Sequence, residues 1–313
     1  MSQPHHQPPE PVRDYGFLPA DVRAFIARTE SFDAPPGSDP DTAEVRRRYD
    51  AMCAVFEVPH PPGLRTEDLR IAGVPCRRYR PSGPPGPARV VYFHGGGFVV
   101  GGLHSHDSAC AELAAGAGLE LIAVDYRLAP EHRHPAAYDD ACAVVATLSG
   151  PFVLAGDSAG GTLAAAVAGH GPADGVLGQV LIYPGLGGGA DLTAMHRHDR
   201  APLLHAADIA TYHGKRAGSG DLATDPTALP LIADSLAHLP PTALFAAACD
   251  PLASDCAAYA ARLAAAGVPV ALTVEPDLVH GYLRARHVTA AGRAAFARIT
   301  AALTRLANGN GPR

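Results

Sequence analysis

Missing from the chain is any Cys-x-x-Cys pair. Its six cysteines (Cys53, Cys76, Cys110, Cys142, Cys249 and Cys256) are scattered, which argues against a thiolate zinc site. Most lie in apolar stretches, where free thiols are ordinarily buried. Residues 1–30 hold no continuous apolar core, so no secretory signal is expected. No run approaches the length that spans a bilayer. A long basic run is absent too: the net charge is −6, with acidic and basic residues interspersed. Arg46-Arg47-Arg48 reads as the solvated face of a helix, not a polyanion site. These absences exclude nucleic-acid binding and membrane insertion as expectations, and they favour a reducing, cytoplasmic setting.

What is present is an alternating α/β pattern. The 313 residues suffice for one large domain with an appended segment, or for two domains. Residues 1–10 read as a tail, in which His5-His6 is weak evidence for a metal. Short amphipathic helices are expected at 19–27 and 41–55. The breakers Ala34-Pro35-Pro36-Gly37 and Pro59-His60-Pro61-Pro62-Gly63 follow them. Residues 1–58 thus read as two helices on a tether, and 59–313 as the main domain. Strands are expected at 69–72 and 74–80 as an antiparallel pair around Gly73, then at 89–93, 119–126, 152–155, 179–183, 242–248 and 270–274. Helices are expected at 106–117, 136–148, 159–169, 255–266 and 290–306. This alternation predicts a mostly parallel sheet of about eight strands with helices on both faces. Ligand sites in such sheets lie outside the carboxyl ends of the strands. Residues 186–216 break the pattern. They hold Gly187-Gly188-Gly189, Met195-His196-Arg197-His198 and a helix near 206–212, and they read as an insertion folded over the site. No Gly-Lys-Ser/Thr follows the three glycines, so they read as a flexible loop, not a phosphate loop.

The strongest chemical signal is Gly156-Asp157-Ser158-Ala159-Gly160-Gly161, set between a strand and an Ala-rich helix. A serine on such a sharp turn needs small neighbours, and the helix N-terminus behind it favours developing negative charge. The bland alternative is a glycine-rich turn with a bystander serine. A second signal, His94-Gly95-Gly96-Gly97-Phe98, follows the strand at 89–93. Its unobstructed N–H groups suit an oxyanion, with Gly95, Gly96 and Ala159 as the expected donors. His94 reads as a loop-shaping residue rather than a base. In this order of motifs the acid and then the histidine follow the serine. His280, placed just past a strand, is the expected base, with His287 as the alternative. Asp250 is the expected orienting acid, Asp255 is the weaker candidate, and a helix-capping role for Asp250 is its structural alternative.

Together these residues resemble the hormone-sensitive lipase-like family of bacterial carboxylesterases, within the α/β-hydrolases. The resemblance spans roughly residues 90–282 in ordered pieces. They are His94 to Phe98, Asp125-Tyr126-Arg127-Leu128-Ala129-Pro130-Glu131, Gly156 to Gly161, Tyr183-Pro184, Leu239-Pro240-Pro241, Asp250-Pro251-Leu252 and His280-Gly281-Tyr282. It implies a Ser158–His280–Asp250 triad and an oxyanion hole of Gly95, Gly96 and Ala159. It also implies a helical cap built from the N-terminal helices and the insertion, and hydrolysis of short acyl esters through an acyl-enzyme. No cofactor and no metal are implied, and the partner is a small-molecule ester. Residues 125–131 would be a buried, satisfied structural network. The chain departs from the family in having Asp225-Pro226 followed by Leu229-Pro230, and Tyr282 where phenylalanine is common. Amide or arylformamide hydrolysis on the same triad remains an alternative. A non-catalytic receptor on this fold would be expected to lack His280. An exposed edge near the last strand leaves a homodimer open.

Overall fold

A computed structural model describes residues 10–12, 14–35, 37–84, 86–172, 174–187 and 192–312. The tail bearing His5 and His6 lies outside the described residues, as do Gly188 and Gly189. The chain opens with α1 (Ala20–Glu30) and α2 (Thr42–Ala54), the latter capped by Asp41 accepting from the Glu44 N–H. A hairpin follows, β1 (Arg65–Ile71) and β2 (Val74–Arg80), turned through Ala72 and Gly73, both at positive φ. Alternating elements then run β3 (Arg89–Phe93), α3 (Asp107–Ala117), β4 (Glu120–Val124), α4 (Ala136–Thr147), β5 (Phe152–Asp157), α5 (Ala159–His170) and β6 (Val176–Ile182). After a long connection holding α6 (Thr193–Arg197) and α7 (Ala206–Ala217) come β7 (Thr242–Cys249), α8 (Ala253–Ala265), β8 (Val270–Val279) and α9 (Ala290–Ala307).

The eight strands form one sheet in the order β1-β2-β4-β3-β5-β6-β7-β8. The first two pairings are antiparallel and the rest parallel. The central strands are apolar on both faces because helices cover both faces. Side chains alternate accordingly. Val90, Tyr92, Val153 and Ala155 pack into the core shared with α3 and α9, whereas Val91, Phe93, Phe152 and Leu154 pack toward α4, α5 and α8.

Three expectations need correction. The N-terminal helices are not tethered: Val22, Phe25, Ile26, Met52, Cys53 and Phe56 belong to the same core as Tyr92 and Val153. Arg46 of α2 also donates to the carbonyls of Val99 and Ala129 and pairs with Glu131, so it is more than part of a solvated face. The last strand does not stop at 274 but continues to Val279. Glu275-Pro276-Asp277 looks like an acidic loop in sequence. Glu275 is in fact buried and paired with Arg298 of α9, and an edge strand tolerates the proline.

Register puts four strand ends together. Phe93 lies opposite both Val124 and Gly156, and Cys249 lies opposite Val279 across an irregularity in the β7–β8 ladder. The residues just beyond β3, β5, β7 and β8 therefore meet at one edge of the sheet, where the sequence motifs fall.

Candidate active site

Ser158 holds φ 52° and ψ −120°, a region that non-glycine residues rarely occupy. Its backbone N–H donates to the Ile182 carbonyl at 2.8 Å, which anchors the turn on β6. The turn also needs the small residue behind it: a Cβ on Gly160 would stand 1.9 Å from the Phe93 carbonyl oxygen. This closeness presses α5 against the end of β3 and leaves the Ser158 hydroxyl at the mouth of the elbow.

The three predicted side chains meet. Ser158 Oγ lies 2.8 Å from His280 Nε2, and His280 Nδ1 lies 2.7 Å from Asp250 Oδ2. A carboxylate only accepts, so Nδ1 carries the proton and Nε2 is the acceptor for the serine hydroxyl. The second oxygen of Asp250 accepts the Leu252 N–H at 2.9 Å, so the carboxylate orients the imidazole and holds the turn before α8 at once. Asp250 and His280 are buried, and the Tyr183 ring packs on the imidazole at 4.9 Å between centroids. Such a chain can activate the hydroxyl and later return a proton to a leaving group.

The rival candidates are placed elsewhere. His287 pairs with Glu112 near the surface at 2.8 Å. Asp255 accepts the N–H groups of Leu186 and Gly187 and so fastens the start of the β6–β7 connection. His94 stacks on Tyr126 (4.3 Å between centroids, 10° between planes) and donates through Nδ1 to the Gly95 carbonyl, as a loop-shaping residue should. Burial, and then the neighbouring His106, push its pKa down to about 3. The segment 125–131 is satisfied but only partly buried. Tyr126 is enclosed and donates to the His94 carbonyl, while Arg127–Asp140 and Glu131–Arg46 pair nearer solvent.

Gly95 is a correction. Its N–H donates to Asp157 Oδ1 at 2.9 Å and is spent on the fold. Gly96 and Gly97 line the cavity beside Ser158 and Ala159, and both adopt positive φ (123° and 60°). Ala159 opens α5, so its N–H has no partner within the helix.

Asp157 was not singled out in the sequence, yet it binds the two glycine motifs together. Its carboxylate accepts from Tyr92 (2.8 Å), Gly95, His106 (3.3 Å) and Tyr183 (3.4 Å). Burial alone would raise its pKa. The charge of His106 and the hydrogen bonds from His106 and Tyr92 outweigh burial and hold the group ionised below the ordinary carboxylate range. A fully buried acid within the elbow motif was the available signal, since such a group must find donors.

Over this edge lies a cavity of about 930 Å³. Its floor includes Gly96, Gly97, Ser158, Ala159 and His280, and its walls include Asp33, Tyr49 and Met52 near the N-terminus and Ile209 and Tyr212 of α7. Ala228 and Leu229, beside the departure at Asp225-Pro226, also line it, so the lining contributed by the β6–β7 connection runs past the expected limit of 216.

Comparison with known proteins agrees with this architecture. Residues 90–284 match a family described as having the alpha/beta hydrolase fold. Esterase LipI of Mycobacterium tuberculosis is 40% identical over 245 residues, covering 71% of this chain and 76% of that protein. Ethyl acetate hydrolase of Pseudomonas putida is 36% identical over 228 residues, covering 67% of this chain and 72% of that protein. A solved esterase from the bacterial hormone-sensitive lipase family superposes with a TM-score of 0.83 at 28% identity, over 92% of this chain and 98% of that one. The chain belongs to the α/β-hydrolases, in the hormone-sensitive lipase-like branch of carboxylesterases.

Proposed function

We propose that this carboxylesterase hydrolyses short-chain acyl esters through a Ser158–His280–Asp250 triad and an acyl-enzyme intermediate. The observation that carries the reading is the continuous hydrogen-bonded chain from the Ser158 hydroxyl through His280 to Asp250. Ser158 Oγ attacks the ester carbonyl while His280 Nε2 takes its proton, and Asp250 stabilises the imidazolium. The tetrahedral oxyanion is received by the N–H groups of Gly96, Gly97 and Ala159. Collapse expels the alcohol, which takes the proton from His280. Water then repeats the sequence on the acyl-serine and regenerates the hydroxyl.

In the short-acyl reading the acyl chain sits in the cavity lined by residues from both the N-terminal segment and the β6–β7 connection, which together form the proposed cap. The relative named for ethyl acetate supports it. A series of nitrophenyl esters of increasing chain length is the test. The highest kcat/KM is expected at short acyl chains, and a maximum at long chains contradicts the proposal. In the same assay Ser158→Ala should lose roughly a thousandfold or more in kcat. Turnover near that of the parent protein would remove Ser158 from the reaction.

A further inference from the structure

Three arginines line the cavity: Arg48, Arg216 and Arg284. Two of them are committed. Arg48 donates to the carbonyls of Phe32 and Asp33 and pairs with Glu44. Arg216 donates to the Ala228 carbonyl, contacts His134 and lies over the Phe98 ring at 3.7 Å. Arg284 differs. A guanidinium carries five N–H donors. Among the described residues its side chain makes one long hydrogen bond, to the Tyr49 hydroxyl at 3.5 Å, and a loose contact with that ring at 5.7 Å. Its Nε is buried with no hydrogen-bond partner among the described residues; Arg48 Nε shares that lack but lies 2.6 Å from the Glu44 carboxylate. No carboxylate forms an ion pair with it among the described residues. Asp157 influences it electrostatically, but that carboxylate is already engaged by four other donors.

Its position makes this matter. Arg284 follows His280 by one turn of 3₁₀ helix (Tyr282–His287), and its guanidinium folds back over Gly281. A Cβ at 281 would lie 2.5 Å from Arg284 Nη2. The charge therefore borders the cavity beside the residue that follows the reacting imidazole. A half-buried cation with idle donors at the wall of a cavity favours a ligand that brings an opposite charge to it. Arginine offers a planar fork that matches a carboxylate in two parallel bonds.

We propose that Arg284 binds a carboxylate on the substrate, so that the esters this enzyme favours carry an acid group close to the scissile bond. The inference rests on the esterase reading above and adds the charge class of the substrate. A carboxylate fits better than a phosphate monoester. One negative charge balances one guanidinium, whereas a dianion would leave excess charge facing the ionised Asp157. Arg284 is a specificity-determining residue in this account and takes no part in proton transfer.

The test uses matched esters and reads a ratio. Ethyl hydrogen glutarate is compared with ethyl pentanoate, which varies charge in the acyl half. 3-Acetoxypropanoate is compared with propyl acetate, which varies it in the alcohol half. The ratio of kcat/KM, charged over neutral, is measured for the parent protein, Arg284→Met and Arg284→Lys. In at least one pair the ratio should fall about tenfold or more in Arg284→Met, as expected for loss of a charge-assisted pair, with partial recovery in Arg284→Lys. Damage to folding would lower both esters alike and leave the ratio in place. An unchanged ratio in both pairs, with the neutral esters still hydrolysed by the parent protein, overturns the carboxylate inference alone. Hydrolysis of none of the four esters by the parent protein overturns the esterase reading and this inference with it.

Discussion

Tyr282 carries a phenolic oxygen that finds no partner among the described residues. The ring is buried edge-on to Tyr183 at 4.8 Å, and the hydroxyl has no hydrogen bond within the described residues. An unsatisfied buried hydroxyl costs about 1 kcal/mol or more. Tyr282→Phe should therefore raise the thermal midpoint by about 2 °C, measured by calorimetry. A lowered midpoint would mean that the hydroxyl has a partner that matters. At this scale the sequence was informative wherever a residue ended a strand: Ser158, Asp250 and His280 each follow one. It misled where residues are chemically alike. Three successive glycines look equivalent, and only the approach of Asp157 shows that the first has given up its N–H. Arg284 carried no sequence signal, because its idle donors are a property of what does not surround it.

The N-terminal helices show the same lesson for elements. Their amphipathic pattern and bordering prolines were readable, but pattern alone cannot say what the apolar face covers. It covers the sheet: Phe25 meets Phe56 at 5.3 Å between rings, and both belong to the core that holds Tyr92 and Ile299. Removal of residues 1–58 should accordingly expose that core and yield aggregated protein or protein without a cooperative unfolding transition. A soluble, cooperatively folded truncation would contradict this packing and make the helices a detachable lid. The tail of β8 was obscured for a related reason. Glu275 reads as solvent-facing until Arg298, far along the chain, is brought against it.

For the whole molecule, the order of motifs along the chain was enough to give the α/β-hydrolase architecture, because all of them but Leu239-Pro240-Pro241, which precedes β7, fall at the end of a strand of a mostly parallel sheet. What it could not give was the buried charge balance, which has a pH signature. His94 is buried in the neutral form, its pKa lowered from 6.5 to about 3 by burial and then by His106. The unfolded chain binds a proton there that the folded chain refuses. Stability from this group is thus complete above about pH 6.5 and is lost as pH falls toward 3, by about 1.4 kcal/mol per unit. His134 and His198, also lowered chiefly by burial, act in the same direction. Urea midpoints should fall between pH 7.5 and pH 5, and equal midpoints would contradict a neutral, buried His94.

The account as a whole depends on a nucleophile at position 158 made reactive by its neighbours. Intact-mass and peptide analysis after exposure to an alkyl fluorophosphonate tests this most directly. One adduct per chain, on Ser158, with its formation slowed strongly by His280→Ala, is the predicted result. An adduct on another residue, or labelling of Ser158 that is indifferent to the loss of the imidazole, would contradict it.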